Sequence, residues 1–342
     1  MTPLTPAPAA PQPHGIRRAV SLYSFQEEYF LRTMTVEDCV SAAADMGAFG
    51  IEIIPEQSIP GYPLLTDEFV EHWHAWMRTY GTTPVATNAF LDTKLHPGRL
   101  LSPDEQAASV RRDIDIAVRL GAPIVKATVN FPPEVMAAAA PYAEERGVRI
   151  LLEVHAPFHY EHPWILEHLE VMHRVGPHVL GLMPDMGIHV KTFPRVVSER
   201  ALRDGARPEL VDYIVRTYDD HGDTHALMDI VNYRGGGPVE FSLARQATHY
   251  IWTEPKDSLA HMPLIGHVQA KFYEMTDDGH EFSIPYEDIL PVYAEGGFTG
   301  HFSSEYEGNR HIQDTFEVVS VEQVRRQQRM LARLLGESGT GA

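Results

Sequence analysis

Pro123-Ile124-Val125-Lys126-Ala127-Thr128 and Val148-Arg149-Ile150-Leu151-Leu152-Glu153-Val154-His155 are short runs rich in aliphatic residues, and 133–146 between them reads as a helix. Two such runs joined by one helix form the β-α-β unit of a parallel sheet. The unit repeats in both directions. Upstream strands are expected at 19–24, 49–54 and 84–89, downstream ones at 179–184, 264–271 and 298–304. Helices are expected over 36–46, from the Thr66 cap to Tyr80, and over 103–120, 163–174 and 321–335. Ser102-Pro103-Asp104-Glu105 is a capping box with proline at the first helical position, and Gly47, Gly81 and Gly121 stand where helices should stop. Eight strands with intervening helices place the chain in the α/β class as a (β/α)8 TIM barrel. The rival, an open doubly wound sheet, lacks a Gly-rich turn after its first strand.

The barrel is expected to fill 15–336 as a single domain. Residues 1–14, rich in Pro and Ala, and the small-residue stretch 337–342 read as disordered tails. Between strands six and seven, 191–262 is far too long for one connecting helix. It reads as an insertion serving as a lid or a partner-docking surface, with helical pieces near 208–218 and 227–233.

Composition excludes several classes. A net charge of −19 over 342 residues repels nucleic-acid backbones, so no nucleic-acid partner is expected. One cysteine, Cys39, excludes an internal disulfide framework and a Cys-based zinc cluster. No apolar run is long enough to cross a membrane, and a cytoplasmic location follows as the expectation.

The candidate chemistry lies at strand ends, which a parallel barrel gathers at one mouth. Glu153, Asp185, Gln269 and Glu305 are three carboxylates and an amide oxygen, a donor set suited to Mn²⁺ or Mg²⁺. Each has a plainer reading: Glu153 as a salt-bridge partner, Asp185 as a turn residue after Pro184, Gln269 as a polar barrel layer. Glu305 has a rival in Glu307, of the same strand parity. His155 lies two residues beyond Glu153 on the same face and is read as a general base. His267, deeper on the Gln269 face, is read as a ligand-orienting residue. Tyr23, Glu52, Asn88, Lys126 and Lys271 are further mouth candidates for holding substrate. A metal beside a histidine favours removal of a proton next to a carbonyl.

The ordered Glu, Asp, Gln and Glu resemble the metal ligands of the xylose isomerase-like TIM barrels, the sugar isomerase/epimerase superfamily. Within it, Ala19-Val20-Ser21-Leu22-Tyr23-Ser24-Phe25-Gln26, Gly50-Ile51-Glu52-Ile53-Ile54, Glu153-Val154-His155 and Gly266-His267-Val268-Gln269 resemble the large (alpha) subunits of bacterial C-glycoside deglycosidases. That resemblance implies one divalent ion, Mn²⁺ with Mg²⁺ or Co²⁺ as substitutes, and His155 as the base. It implies cleavage of the C1–aryl carbon bond of 3-oxo-C-glucosides of flavonoids and related phenols, by proton abstraction and β-elimination. A small beta-type subunit covering the site and an oligomeric assembly are also implied. Related epimerases place a histidine near His189 on their substrate. The alternative is a keto-sugar isomerase or epimerase working through an enediolate, with Glu153 and Glu305 as the acid/base pair. An abasic-site endonuclease would need a basic groove, against the charge of −19, and a non-catalytic barrel would not need four intact ligands.

Overall fold

The computed structural model describes residues 15–93 and 96–337. Its strands are β1 (Arg17–Ser21), β2 (Gly50–Ile53), β3 (Thr83–Ala89), β4 (Ile124–Ala127), β5 (Arg149–Val154), β6 (Leu180–Pro184), β7 (Val268–Phe272) and β8 (His301–Tyr306). They form one sheet in the order β6-β5-β4-β3-β2-β1-β8-β7, and every neighbouring pair is parallel. Between β6 and β7, isolated parallel bridges join Leu182 to Ile265 and Asp185 to Gln269. Gly266 N–H donates to the Leu182 carbonyl at 3.0 Å across the same seam. The sheet is a nearly closed TIM barrel.

Helices Val36–Asp45, Asp67–Tyr80, Pro103–Leu120, Pro133–Glu145, Pro163–Val175, Tyr286–Glu295 and Ser320–Leu334 lie between and after the strands. Thr35 with Asp38 and Ser102 with Glu105 close capping boxes at two helix starts. Gly81 and Gly121 end theirs at φ +68° and +77°, a backbone state that favours glycine. None of the helices among the described residues is long and apolar enough to cross a membrane.

Strand parity builds two cores. On β5, Ile150, Leu152 and Val154 join the large cluster shared with the helices. Leu151 faces the other way and packs with Ala86, Ile124 and Met183 in a separate buried cluster inside the barrel. Glu153 follows Leu151 by one pleat, so the polar mouth stands directly on this apolar plug.

Several boundaries differ from expectation. β1 ends at Ser21, and Leu22–Phe25 is a 3-10 turn, so Tyr23 sits on a turn rather than in a strand. The expected start of strand seven at Leu264 belongs to the 3-10 stretch Pro255–Leu264, and β7 continues to Phe272. β8 begins at His301 and encloses Glu305. Aliphatic runs mark buried residues, whereas sheet hydrogen bonding sets the ends, and barrel shear moves each strand along its neighbour. The helix Tyr286–Glu295 was not anticipated; Pro291 within it masks the helical pattern.

The 191–262 segment carries helices Arg195–Arg203, Pro208–Asp219, Leu227–Tyr233 and Pro238–Ala247. It is tied to the barrel by a bridge between His189 and Trp252, by Tyr218 Oη donating to the Val190 carbonyl at 2.6 Å, and by Arg203 against Asp314 at 2.7 Å. The expected tail 1–14 lies outside the described residues, as do 338–342. Glu337, expected in the second tail, instead pairs with the buried Arg18 at 2.6 Å. Arg18 also donates to the Met46 carbonyl and to Gln328, locking the last helix to β1. Removing one member of a buried pair strands the other, so Glu337→Gln should destabilise the fold by roughly 3 kcal/mol. A lower urea midpoint at unchanged slope checks this; an unaltered midpoint would refute it.

Candidate functional site

β5, β6 and β8 bring Glu153, Asp185 and Glu305 to one point. A carboxylate oxygen from each lies within 4.8 Å of the other two, and all three residues are buried. Register achieves this across the shear: Lys271 stands opposite Glu305, and the Asp185–Gln269 bridge sets those two level. Asp185 Oδ1 accepts the Gly187 N–H at 2.6 Å, while Oδ2 faces Lys271 Nζ at 2.7 Å. Gln269 Nε2 donates to Glu52 Oε1 at 2.8 Å and reaches Glu305 Oε1 at 3.4 Å. That leaves Gln269 Oε1 as the free end of the amide. Among the described residues, Gln269 Oε1 and Glu305 Oε2 are both buried without a hydrogen-bond partner. Unmatched buried acceptors are costly, and oxygens of this kind suit a hard divalent cation. The residues present therefore fit such an ion.

Two lysines hold the carboxylates together. Lys126 Nζ lies 3.1 Å from Glu153 and 3.7 Å from both Glu52 and Glu305. Lys271 Nζ lies 2.7 Å from Asp185, 3.3 Å from Glu307 and 3.7 Å from Glu305. Burial works against both ammonium groups, but the surrounding carboxylates raise their pKa above the usual lysine value. Five carboxyl groups share these two cations. The imbalance falls on Glu305: burial, reinforced by Asp185 and Glu153, pushes its pKa up to about 8 despite both lysines. Glu52 goes the other way. Burial opposes its charge, yet Lys126, His267 and Gln269 hold it down to about 2. Glu153 and Glu307 are also lowered against the effect of burial, by Lys126 and by Lys271 respectively, each with help from His155.

His155 stands at the solvent edge, with 40% of its side chain exposed. Its Nδ1 is 2.6 Å from the Ala156 carbonyl, so that nitrogen carries the hydrogen and Nε2 is the basic one. Nε2 faces Lys271 Nζ at 2.8 Å and Asp185 Oδ2 at 3.8 Å. His267, buried below, lies 3.4 Å from Glu52 Oε2, so it supports Glu52, which in turn holds Gln269.

The other expected residues divide. Lys126 and Glu52 sit within the carboxylate cluster, bound to its members rather than open to solvent. Asn88 pairs with Lys126 in the β3–β4 register, and its Oδ1 is buried without a partner. Tyr23 Oη donates to Glu307 at 3.2 Å, and the Arg310 guanidinium lies 5.3 Å from its ring. His189 is sealed away, with Nδ1 2.7 Å from the Thr253 carbonyl. Burial lowers its pKa to about 4, so its imidazole is neutral. Glu307, named from the sequence only as a rival of Glu305, stands in the site beside it, and Arg310 was missed. The alternation Glu305-Tyr306-Glu307 was the one available signal for the first.

The family described as xylose isomerase-like TIM barrel matches residues 40–334. The chain belongs to this family. It is similar to the 3'-dehydrocarminate deglycosidase alpha subunit of a Microbacterium species, with 31% identity over 339 residues, covering 94% of this chain and 96% of the relative. It is 32% identical over 327 residues to a C-glycoside deglycosidase alpha subunit of Microbacterium trichothecenolyticum, covering 90% and 88%. A solved sugar phosphate isomerase/epimerase from Parabacteroides distasonis shares the fold at a TM-score of 0.57 and 11% identity, over 98% of this chain and 100% of that one.

The crowding of like charges yields a prediction. Glu305→Gln removes one buried carboxylate, so the chelator-treated variant should be at least as stable as the parent protein. Its stabilisation by added Mn²⁺ should need roughly tenfold more metal or beyond. Thermal melts with chelator and across a Mn²⁺ series test both halves; an unchanged Mn²⁺ response would remove Glu305 from the ligand set.

Proposed function

We propose that this chain is the catalytic, alpha-type subunit of a divalent-metal-dependent C-glycoside deglycosidase. Identity of 31% and 32% with two deglycosidase alpha subunits, over nine-tenths or more of the chain, carries this reading. The substrate is a 3-oxo-C-glucoside of a flavonoid or related phenol, and the bond cleaved joins sugar C1 to the aryl carbon. Glu153, Asp185, Gln269 and Glu305 would hold the ion, a hard divalent cation such as Mn²⁺ or Mg²⁺ given oxygen donors alone. When bound, it supplies Lewis-acid polarisation of a substrate oxygen.

The chain's own residues supply the rest. The Ala156 carbonyl fixes the His155 tautomer, so Nε2 takes the C2 proton. That electron pair becomes the C1–C2 double bond as the C1–aryl bond breaks, and the aryl carbon takes up a proton to release the phenol. Lys271, 2.8 Å from Nε2, must yield this contact when substrate enters, and its charge then serves a substrate oxygen. His267 and Glu52 hold Gln269 in place, and Tyr23 with Asn88 line the approach. The name alpha subunit, carried by both relatives, supports a partner, here a small beta-type subunit. The helices of 191–262, which expose Tyr233, are assigned to its docking or to a lid.

A keto-sugar isomerase or epimerase is the second reading, favoured by the closeness of Glu153 and Glu305, which would then carry the protons. The deciding assay strips and restores Mn²⁺, then offers a 3-oxo-C-glucoside and a ketohexose panel, with and without the small subunit. Metal-dependent release of the phenol is expected, falling by roughly 10²–10⁴-fold in His155→Ala while Mn²⁺ still binds. Ketohexose interconversion without phenol release would overturn the proposal.

A further inference from the structure

The N-terminal end of the barrel, opposite the carboxylate cluster, contains a cavity of about 480 Å³. Fifteen described residues line it, and none of them is Asp or Glu, although the chain carries a net charge of −19. Basic side chains dominate its polar groups. Arg149 is the first residue of β5 and shares the inward parity of Leu151 and Glu153. Its guanidinium is laid between two glycines: a Cβ on Gly181 would come within 2.8 Å of Nη2, and one on Gly266 would overlap Nη1. No described residue offers the Arg149 side chain an ion pair or a hydrogen bond, and its Nε is buried and unmatched. Burial therefore lowers its pKa with nothing to oppose the effect.

His301 supplies an independent observation. It lines the same cavity, is 8% exposed, and its Nε2 is buried without a partner among the described residues. Burial, His267 and Arg17 hold its pKa down to about 3, so it is a neutral hydrogen-bonding group. Arg17 stands exposed at the rim, with Thr299 beside it. An unpaired, partly buried guanidinium is costly, and its planar fork matches an oxyanion.

We propose that this cavity is a second ligand site, binding a small oxyanion of the phosphate or carboxylate class on Arg149, Arg17 and His301. Its volume exceeds that of a bare anion and leaves room for an organic body. Arg149 is four residues from Glu153 along β5, about 13 Å, so this site is separate from the mouth.

The test uses chelator-treated full-length protein, titrated calorimetrically with inorganic phosphate and, in a second arm, with malonate. Saturable one-site binding of at least one anion is expected, and the tighter arm identifies the class. Arg149→Gln and Gly266→Ala should weaken it roughly tenfold or more. Arg17→Gln, at an exposed position that leaves folding intact, should also weaken it, while His155→Ala at the other end of the barrel should leave it unchanged. Should the Arg149 and Gly266 variants fail to fold, Arg17→Gln decides. Absence of saturable binding by both anions, binding indifferent to Arg17→Gln, or binding lost in His155→Ala would overturn the proposal. Because the titration involves neither metal nor partner subunit, its outcome is independent of the deglycosidase reading.

Discussion

Mutual repulsion among buried carboxylates, offset by Lys126 and Lys271, is the constraint around which the barrel mouth is built. Glu52, Glu153, Asp185 and Glu305 are all buried, and the two lysines contact every one of them. Such a cluster survives only if each charge is placed within a few ångströms of its counter-charge. The parallel barrel makes this placement possible because its register is set by many strand hydrogen bonds outside the cluster. A slip of one residue in β5 would turn Glu153 outward into the helix-facing core and bring Val154 inward. The apolar plug of Ala86, Ile124, Leu151 and Met183 lies one pleat below and keeps the charged layer at the mouth.

Functional polarity along the barrel follows. At one end, carboxylate excess leaves Gln269 Oε1 and Glu305 Oε2 without donors, an arrangement unfavourable on its own and favourable around a cation. His155 stands where that buried cluster meets solvent, with one nitrogen committed to the backbone and the other facing Lys271. The N-terminal end carries the opposite imbalance, with Arg149 lacking an acidic partner among the described residues. Both ends depend on β5, whose inward residues Arg149, Leu151 and Glu153 run from cation through apolar plug to anion.

The alternation of aliphatic runs and capped helices made the barrel legible, because burial periodicity and cap chemistry are local properties. The clustering of the acids was legible for a related reason: a carboxylate ending an apolar strand, as in Leu151-Leu152-Glu153, is too costly to be incidental. Strand limits were less so. Strand seven is expected from Leu264, yet β7 spans Val268–Phe272, because shear sets how far each strand projects relative to its neighbours. Tyr23 fell on a turn for the same reason.

The sequence by itself determined the fold class, the helix ends, and which residues point inward, since these follow from periods of 3.6 and 2 and from capping groups that lie close in the chain. Only the tertiary structure decided who pairs with whom. Lys126 is shared among three acids, Lys271 bridges Asp185, Glu307 and His155, and His267 faces Glu52 rather than Gln269 directly. Those choices depend on distances of a few ångströms between residues separated by up to 215 positions, as His267 and Glu52 are. Barrel closure and shear set such distances, and neither is written in any single stretch of chain.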